Sequence, residues 1–160
     1  MTLRSHRFHL LTAAAMAAGC IWLAAADAPR PVHAAGIVVT TLASGNAADG
    51  QCSLREAIIN ANNDAATHAD CGAGTGADAI TFGVSGTITL GSSLPNITDA
   101  DGLSIDGGGA ITIDGDFQVR LFRVTAAAKA DFMNLTLVNG DATNVGAIST
   151  TGTVTVTNVT

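Results

Sequence analysis

From Ala79 onward the chain is a succession of short segments in which apolar residues alternate with Thr, Ser or Asp. Ile80–Phe82, Thr87–Leu90, Leu103–Ile105, Ile111–Ile113, Leu121–Val124, Phe132–Leu137 and Val154–Thr157 all read this way. A period of two belongs to a strand with one buried face, and no helical period intervenes. Asp101-Gly102, Asp106-Gly107, Asp114-Gly115 and Asn139-Gly140 separate the segments as turn signals. Leu90, Ile113, Leu135 and Val159 follow one another at offsets of 23, 22 and 24, and Asn134-Leu135-Thr136 returns as Asn158-Val159-Thr160 at an offset of 24. A repeat of this length that holds several short strands predicts an all-β solenoid, a parallel β-helix with a narrow apolar interior. A small β-sandwich would also give frequent strands, and Asp-Gly and Asn-Gly favour hairpins. The recurrence of near-identical segments favours the solenoid.

The segment ahead of this ladder differs. Ile37–Leu42 is β-branched and reads as a strand, and Ala43–Gln51 is small and polar, hence a loop. Ser53-Leu54-Arg55-Glu56 has the form of a capping box, in which Ser53 accepts from the Glu56 N–H and the Glu56 side chain returns to the Ser53 N–H. Leu54, Ala57, Ile58 and Ala61 then recur at helical spacing, which predicts a helix of about ten residues with one apolar stripe. Asn60, Asn62, Asn63 and Asp64 end it. Such a helix is too short to stand alone. It is expected before the first coil, plugging the open apolar end of the solenoid with Cys52–Cys71 holding it.

Residues 1–34 read as an address. Arg4 and Arg7 precede an apolar, Ala-rich run from Phe8 to Ala26, and Val32-His33-Ala34 follows a Pro-containing break. This is the layout of a secretory signal peptide with cleavage after Ala34 or Ala35. The competing readings are a membrane helix, for which the run is near the lower length limit, and a lipoprotein box at Ala17-Ala18-Gly19-Cys20. No later segment is apolar enough to span, so no transmembrane span is expected in the mature chain. Without residues 1–34 the chain keeps four cations (Arg55, Arg120, Arg123, Lys129) against twelve acids, a net charge of −8. That sign is wrong for tracking phosphates, so no nucleic-acid partner is expected. Two cysteines remain, Cys52 and Cys71, and an exported chain meets an oxidising compartment, which makes a disulfide the default. A metal pair or reactive thiol is the rival, but only His68 lies near as a further soft ligand.

Val39-Thr-Thr-Leu42, Cys52-Ser-Leu-Arg-Glu-Ala-Ile58, Asn60-Ala-Asn62 and Asp78-Ala-Ile-Thr-Phe82 together resemble the CSLREA domain, the N-terminal region of many exported bacterial right-handed parallel β-helix proteins. The match covers about residues 37–90, and Cys52–Ile58 is its specific part. Gly146-Ala147-Ile148, followed by a Thr-Gly turn and Val154–Asn158, is similar to the Gly-Gly-Ala-Ile repeats of polymorphic outer membrane proteins, with Val145 where the first glycine would stand. The organisation expected is a signal peptide over 1–34, a CSLREA-type cap region over 35–90, and β-helix repeats over 91–160 that stop within a repeat, so that downstream coils are expected. The resemblance implies a bacterial, secreted or cell-surface protein. It implies no reaction.

The same fold carries polysaccharide lyases and glycoside hydrolases, whose chemistry would need converging carboxylates. Asp106, Asp114 and Asp116 lie close in sequence and Arg120 and Arg123 follow, a set whose oxygens would suit a hard cation. Asp106 and Asp114 each precede Gly, however, and serve turns. No catalytic residue, metal ligand or cofactor is assigned. Asp106–Asp114 lacks an Asp at Thr112 that a calcium-binding nonapeptide repeat needs. Asn96, Asn134 and Asn158 match glycosylation sequons by letter and read as turn residues. His68 reads as a solvated side chain, and Arg55 is given no role beyond an ion pair or carbonyl contact. Two function classes remain. One is an interaction module that meets an extracellular glycan, neutral or cation-bridged, or a host or neighbouring cell surface. The other is the front of a carbohydrate-active enzyme whose site lies in coils downstream.

Overall fold

The computed structural model describes residues 35–141 and 146–160; the expected signal peptide, the Cys20 box and Val145 lie outside the described residues. Among the described residues eight strands and one helix follow in chain order: β1 (Ala35–Val39), α1 (Leu54–Asn63), β2 (Asp78–Phe82), β3 (Gly86–Thr89), β4 (Leu103–Asp114), β5 (Phe122–Val124), β6 (Lys129–Val138), β7 (Ile148–Thr150) and β8 (Thr153–Thr157). Every strand pairing is parallel. Parallel neighbours cannot be joined by a tight hairpin, so each link must travel a full coil. This excludes the sandwich. The molecule is a parallel β-helix of about three regular turns preceded by one wider turn.

Each coil has three faces. The first carries β1, β2, the front of β4, the front of β6, and β8 in that order. The second carries β3 and the rear halves of β4 and β6. The third carries β5 and β7, extended by a single bridge from Ile97 to Val124. Inward positions stack in columns. Ile37, Ile80, Ile105, Phe132 and Val156 form one column of the first face, and Ile88, Ile113 and Leu137 form one of the second. The Phe122 and Phe132 rings meet inside, centroids 4.6 Å apart at 44°, a tilted arrangement of the kind aromatic pairs prefer.

The true register departs from the sequence spacing. Ile113 pairs with Ile88, at an offset of 25, and with Leu137, at an offset of 24, rather than with Leu90 and Leu135. The apolar positions alternate, so a slip of two preserves the pattern and hides the difference. The Asn134 and Asn158 offset of 24 is the one realised in space: Asn158 Nδ2 donates to Asn134 Oδ1 at 3.1 Å, and Asn134 Nδ2 donates to Asp106 Oδ1 at 2.9 Å.

That stack marks the corner between the first two faces. Asn134 and Asn158 are both left-handed, with φ 52°. The segment Phe132–Leu137, expected as one strand, therefore bends at Asn134. Asn tolerates this conformation better than most residues. In the coil before, the same corner is made by Gly107, Gly108, Gly109 and Ala110, where the register between β4 and β6 shifts. Gly108 and Gly109 take positive φ, and a Cβ on Gly107 would lie 2.7 Å from the Asn134 carbonyl oxygen. Asp106-Gly107 is thus a corner within β4, not a hairpin turn. A second stack sits at the far end of the second face, where Asn139 Nδ2 donates to Asp114 Oδ1 at 2.9 Å.

The helix forms as expected over Leu54–Asn63, and the strand expected ahead of it at Ile37–Leu42 forms as β1 over Ala35–Val39, but the helix lies within the first coil rather than before it. Ala35 pairs with Asp78, at an offset of 43, so the first turn is wider than the later ones and α1 is an insertion within it. Leu54, Ala57, Ile58 and Ala61 are buried in the same core as the strands.

Two expectations follow. Asn134→Ala should cost about 2 kcal/mol in urea unfolding, from a left-handed Cβ and lost ladder bonds, whereas Asn134→Gly should cost about half that because the backbone strain is relieved. The Asn134 amide and then the Gly108 N–H hold the Asp106 carboxyl below its ordinary pKa, against a smaller opposing effect of burial. A depressed folded-state pKa gives stability that is present above about pH 4 and lost as pH falls through the folded value. Asp106→Asn should therefore flatten the decline in melting temperature below about pH 4 relative to the unmodified chain.

Candidate functional site

The sequence-singled residues of the first turn converge. Cys52 follows β1, and its carbonyl accepts from Thr40 N–H at 2.8 Å while its own N–H donates to Thr40 Oγ1 at 2.9 Å. Cys52 and Cys71 form a disulfide with Cα atoms 4.7 Å apart, at a sequence separation of 19. Both residues are buried. Ser53 caps α1 from extended backbone; its Oγ accepts from Glu56 N–H at 3.3 Å, and Glu56 Oε2 accepts from Ser53 N–H at 2.9 Å. The Ser53 hydroxyl also donates to the Gly45 carbonyl at 2.6 Å, which ties the preceding loop to the cap.

Glu56 is buried at 1% exposure, and its Oε1 lies 3.8 Å from His68 Nδ1. His68 is therefore half-buried against the capping box rather than solvated beside Asp70. The Asp70 carboxylate turns elsewhere, and its Oδ2 accepts from the Asp49 and Gly50 N–H groups at 2.9 and 3.0 Å. Arg55 donates to the carbonyls of Ser44, Ser93 and Ser92 at 2.8, 2.9 and 2.9 Å. It clamps the first turn onto the second. Partial burial lowers the Arg55 pKa from its ordinary value.

Asn60, read from the sequence as a helix-ending residue, is the hub of this turn. It is fully buried. Its Nδ2 donates to the carbonyls of His68 and Gly72, each at 2.9 Å, and its Oδ1 accepts from His68 N–H at 2.8 Å. One amide thus satisfies three backbone groups of the loop that carries Cys71, groups that would otherwise be stranded away from water. Asn62 repeats the device toward the next turn, bonding the Asn96 carbonyl and the Thr98 N–H at 2.8 Å each. The signal was present in Asn60-Ala-Asn62-Asn63, but polar residues at a helix end have many uses.

The carboxylates do not converge. Asp106 ends the first-face segment of β4 and Asp114 ends its second-face segment, each spent on its own corner. Asp116 Oδ2 accepts from Gln118 Nε2 at 2.9 Å. Among the described residues no group of three or more His, Cys, Asp or Glu side chains is placed to hold a metal ion. Asn134 and Asn158 use their amides in the corner stack, and Asn96 lends its carbonyl to Asn62. A concavity of about 250 Å³ on the first face is lined by Asp78, Asp101, Ser104, Lys129 and Asp131 among others.

One outward feature escaped the sequence. Phe117 is 75% exposed, and both it and Asp116 are left-handed, φ 57° and 49°. A bulky residue in that region is strained. The loop holds it there: Phe117 N–H donates to the Asn139 carbonyl at 2.8 Å, and Gln118 and Val119 N–H both donate to the Gly115 carbonyl. An apolar residue in a turn carries no periodic signature, which is why nothing in the sequence marked it.

Compared with known proteins, the chain matches no family model, no curated protein and no solved structure.

Breaking the disulfide by Cys52→Ser with Cys71→Ser should cost about 3 kcal/mol. Asn60→Ala should cost a similar amount, about 3 kcal/mol, because it strands buried backbone groups. Urea titration of both variants checks this; a change below about 1 kcal/mol in either would contradict a first turn closed by these contacts.

Proposed function

We propose that this chain is an exported bacterial β-helix module of interaction type, secreted or held at the cell surface, which contacts an extracellular glycan. The observation that carries the reading is Phe117: a strained, hydrogen-bonded loop presents an aromatic face to solvent on the outer wall of the solenoid. An exposed ring is a poor choice for solubility and a good one for stacking on the apolar face of a sugar. Asp116 and Gln118 flank it with donors and acceptors for hydroxyl groups. The acidic balance of the chain suits a neutral or cation-bridged glycan better than an anionic one.

The resemblance of Cys52–Ile58 to the CSLREA motif supports an exported origin, and so does a buried disulfide, which persists in oxidising compartments. Export is tested by the mass of the native product from medium and cell surface. The glycan reading is tested on an array of neutral and acidic polysaccharides. Binding to a neutral glycan should fall about tenfold in Phe117→Ala with the melting temperature unchanged. Equal binding by the variant, or release of sugar fragments from the array, would contradict it.

A further inference from the structure

The carboxylates of this chain are mostly spent on its own backbone. Those of Asp49, Asp64, Asp70, Asp99, Asp106 and Asp114 each accept a backbone N–H and fasten a turn or corner. Asp101 and Asp131 differ. Both are exposed, and neither side chain has a hydrogen bond or ion pair among the described residues. Lys129 is the one lysine of the sequence, and it too is exposed and makes no ion pair among the described residues. These three uncommitted charges line one hollow, the concavity of about 250 Å³ on the first face.

The fold brings them together. Lys129 and Asp131 flank the buried Ala130 in β6, so both point outward, about 7 Å apart along the strand. Ser104 stands beside Asp131 in register on β4 and is half-buried. Asp101 is carried in by the corner before β4. There Asp99 Oδ1 accepts from the Asp101 and Gly102 N–H groups at 2.8 and 3.2 Å, and the Asp99 carbonyl accepts from Lys129 N–H at 3.1 Å. Ala77, Gly102 and Leu103 line the hollow as well and carry no polar side-chain atom. Buried Asp78 also lines it, with its Oδ1 accepting from Thr75 N–H at 3.0 Å. β4 and β6 each have a strand partner on both sides, so the hollow does not depend on either outermost strand of the sheet.

An acid and an ammonium that share a wall without pairing suit a ligand whose groups both donate and accept. A hydroxyl does both, so two adjacent hydroxyls can donate to a carboxylate and accept from an ammonium at once. Hydrogen bonds to ionised groups are roughly twice as strong as neutral ones. The apolar lining suits the C–H face of a sugar ring. A metal ion would want more oxygens than two carboxylates supply, and Lys129 would repel it. The geometry points to a second glycan subsite: the hollow takes one sugar unit of a neutral glycan, through a vicinal diol held by Asp131 and Lys129 with Asp101 as a further acceptor. The subsite rests on the glycan reading of the chain but not on Phe117.

Titration of the isotope-labelled, oxidised chain with the methyl glycosides of glucose, mannose and galactose tests it, read by amide NMR shifts. At least one glycoside should shift the amides of Gly102, Ser104, Lys129 and Asp131. Asp131→Ala and Lys129→Met should each weaken that binding about tenfold. The melting temperature should stay unchanged in both variants, since neither side chain holds the fold. Silence of these amides toward all three glycosides, affinity unchanged in either variant, or a response to glycine or calcium ions in place of the glycosides would overturn the subsite. The same spectra separate the two glycan surfaces. Shifts confined to Asp116–Gln118 would remove the hollow and leave the Phe117 surface standing, and shifts confined to the hollow would do the reverse.

Discussion

Parallel backbone pairing is the constraint from which the rest of this molecule follows. A strand can meet a parallel neighbour only after the chain has travelled around and returned, and here paired positions stand at offsets of 24 to 27 once the first turn is complete. That path must include corners, and corners in a narrow coil demand backbone conformations most residues avoid. The left-handed Asn134, Asn139 and Asn158, and the glycines after Asp106, are therefore consequences of the pairing. Once the corners stack, their side-chain amides bond from coil to coil and the turn positions contribute to the same ladder as the strands.

The first turn solves a different problem. A stack of coils has an end, and the end exposes both apolar side chains and backbone edge. The offset from β1 to its partner position in β2 is 43, and the surplus is spent on a helix, a disulfide and a loop held by Asn60. Each part depends on the others. The capping box starts α1 beside Cys52, the helix positions Asn60 one turn beyond Glu56, and Asn60 holds the loop that returns Cys71 to Cys52. Arg55 and Asn62 then fasten this unit to the second turn. Polar side chains here act as brackets for backbone, which is why a buried acid and a buried amide are tolerated in so small a core.

Much of this is legible in the sequence. The two-residue alternation marks the strands, the offset of 24 between Asn134 and Asn158 is a true coil register, and Ser53 with Glu56 places the start of the helix at the correct residue. Other parts are hidden for definable reasons. Alternation cannot distinguish registers that differ by two, so the spacing aligns Leu90 with Ile113 in place of Ile88. A single left-handed Asn inside Phe132–Leu137 leaves the apolar pattern intact, so the corner is invisible. The strand ahead of the helix is legible, but its pairing with β2 at an offset of 43 is not, so the helix expected before the first coil proves to lie within it. Asn60 and Phe117 escape notice because burial of an amide and exposure of a ring are tertiary facts that no local pattern records.

Residue-resolved hydrogen exchange on the oxidised and the reduced chain tests most directly whether the first turn closes the stack. Reduction should remove protection first from β1 and α1, then from β2 and β3, with the amides shared by β4 and β6 the last to open. Protection of α1 that is indifferent to reduction, or opening that begins between β4 and β6, would contradict a stack closed by its first turn.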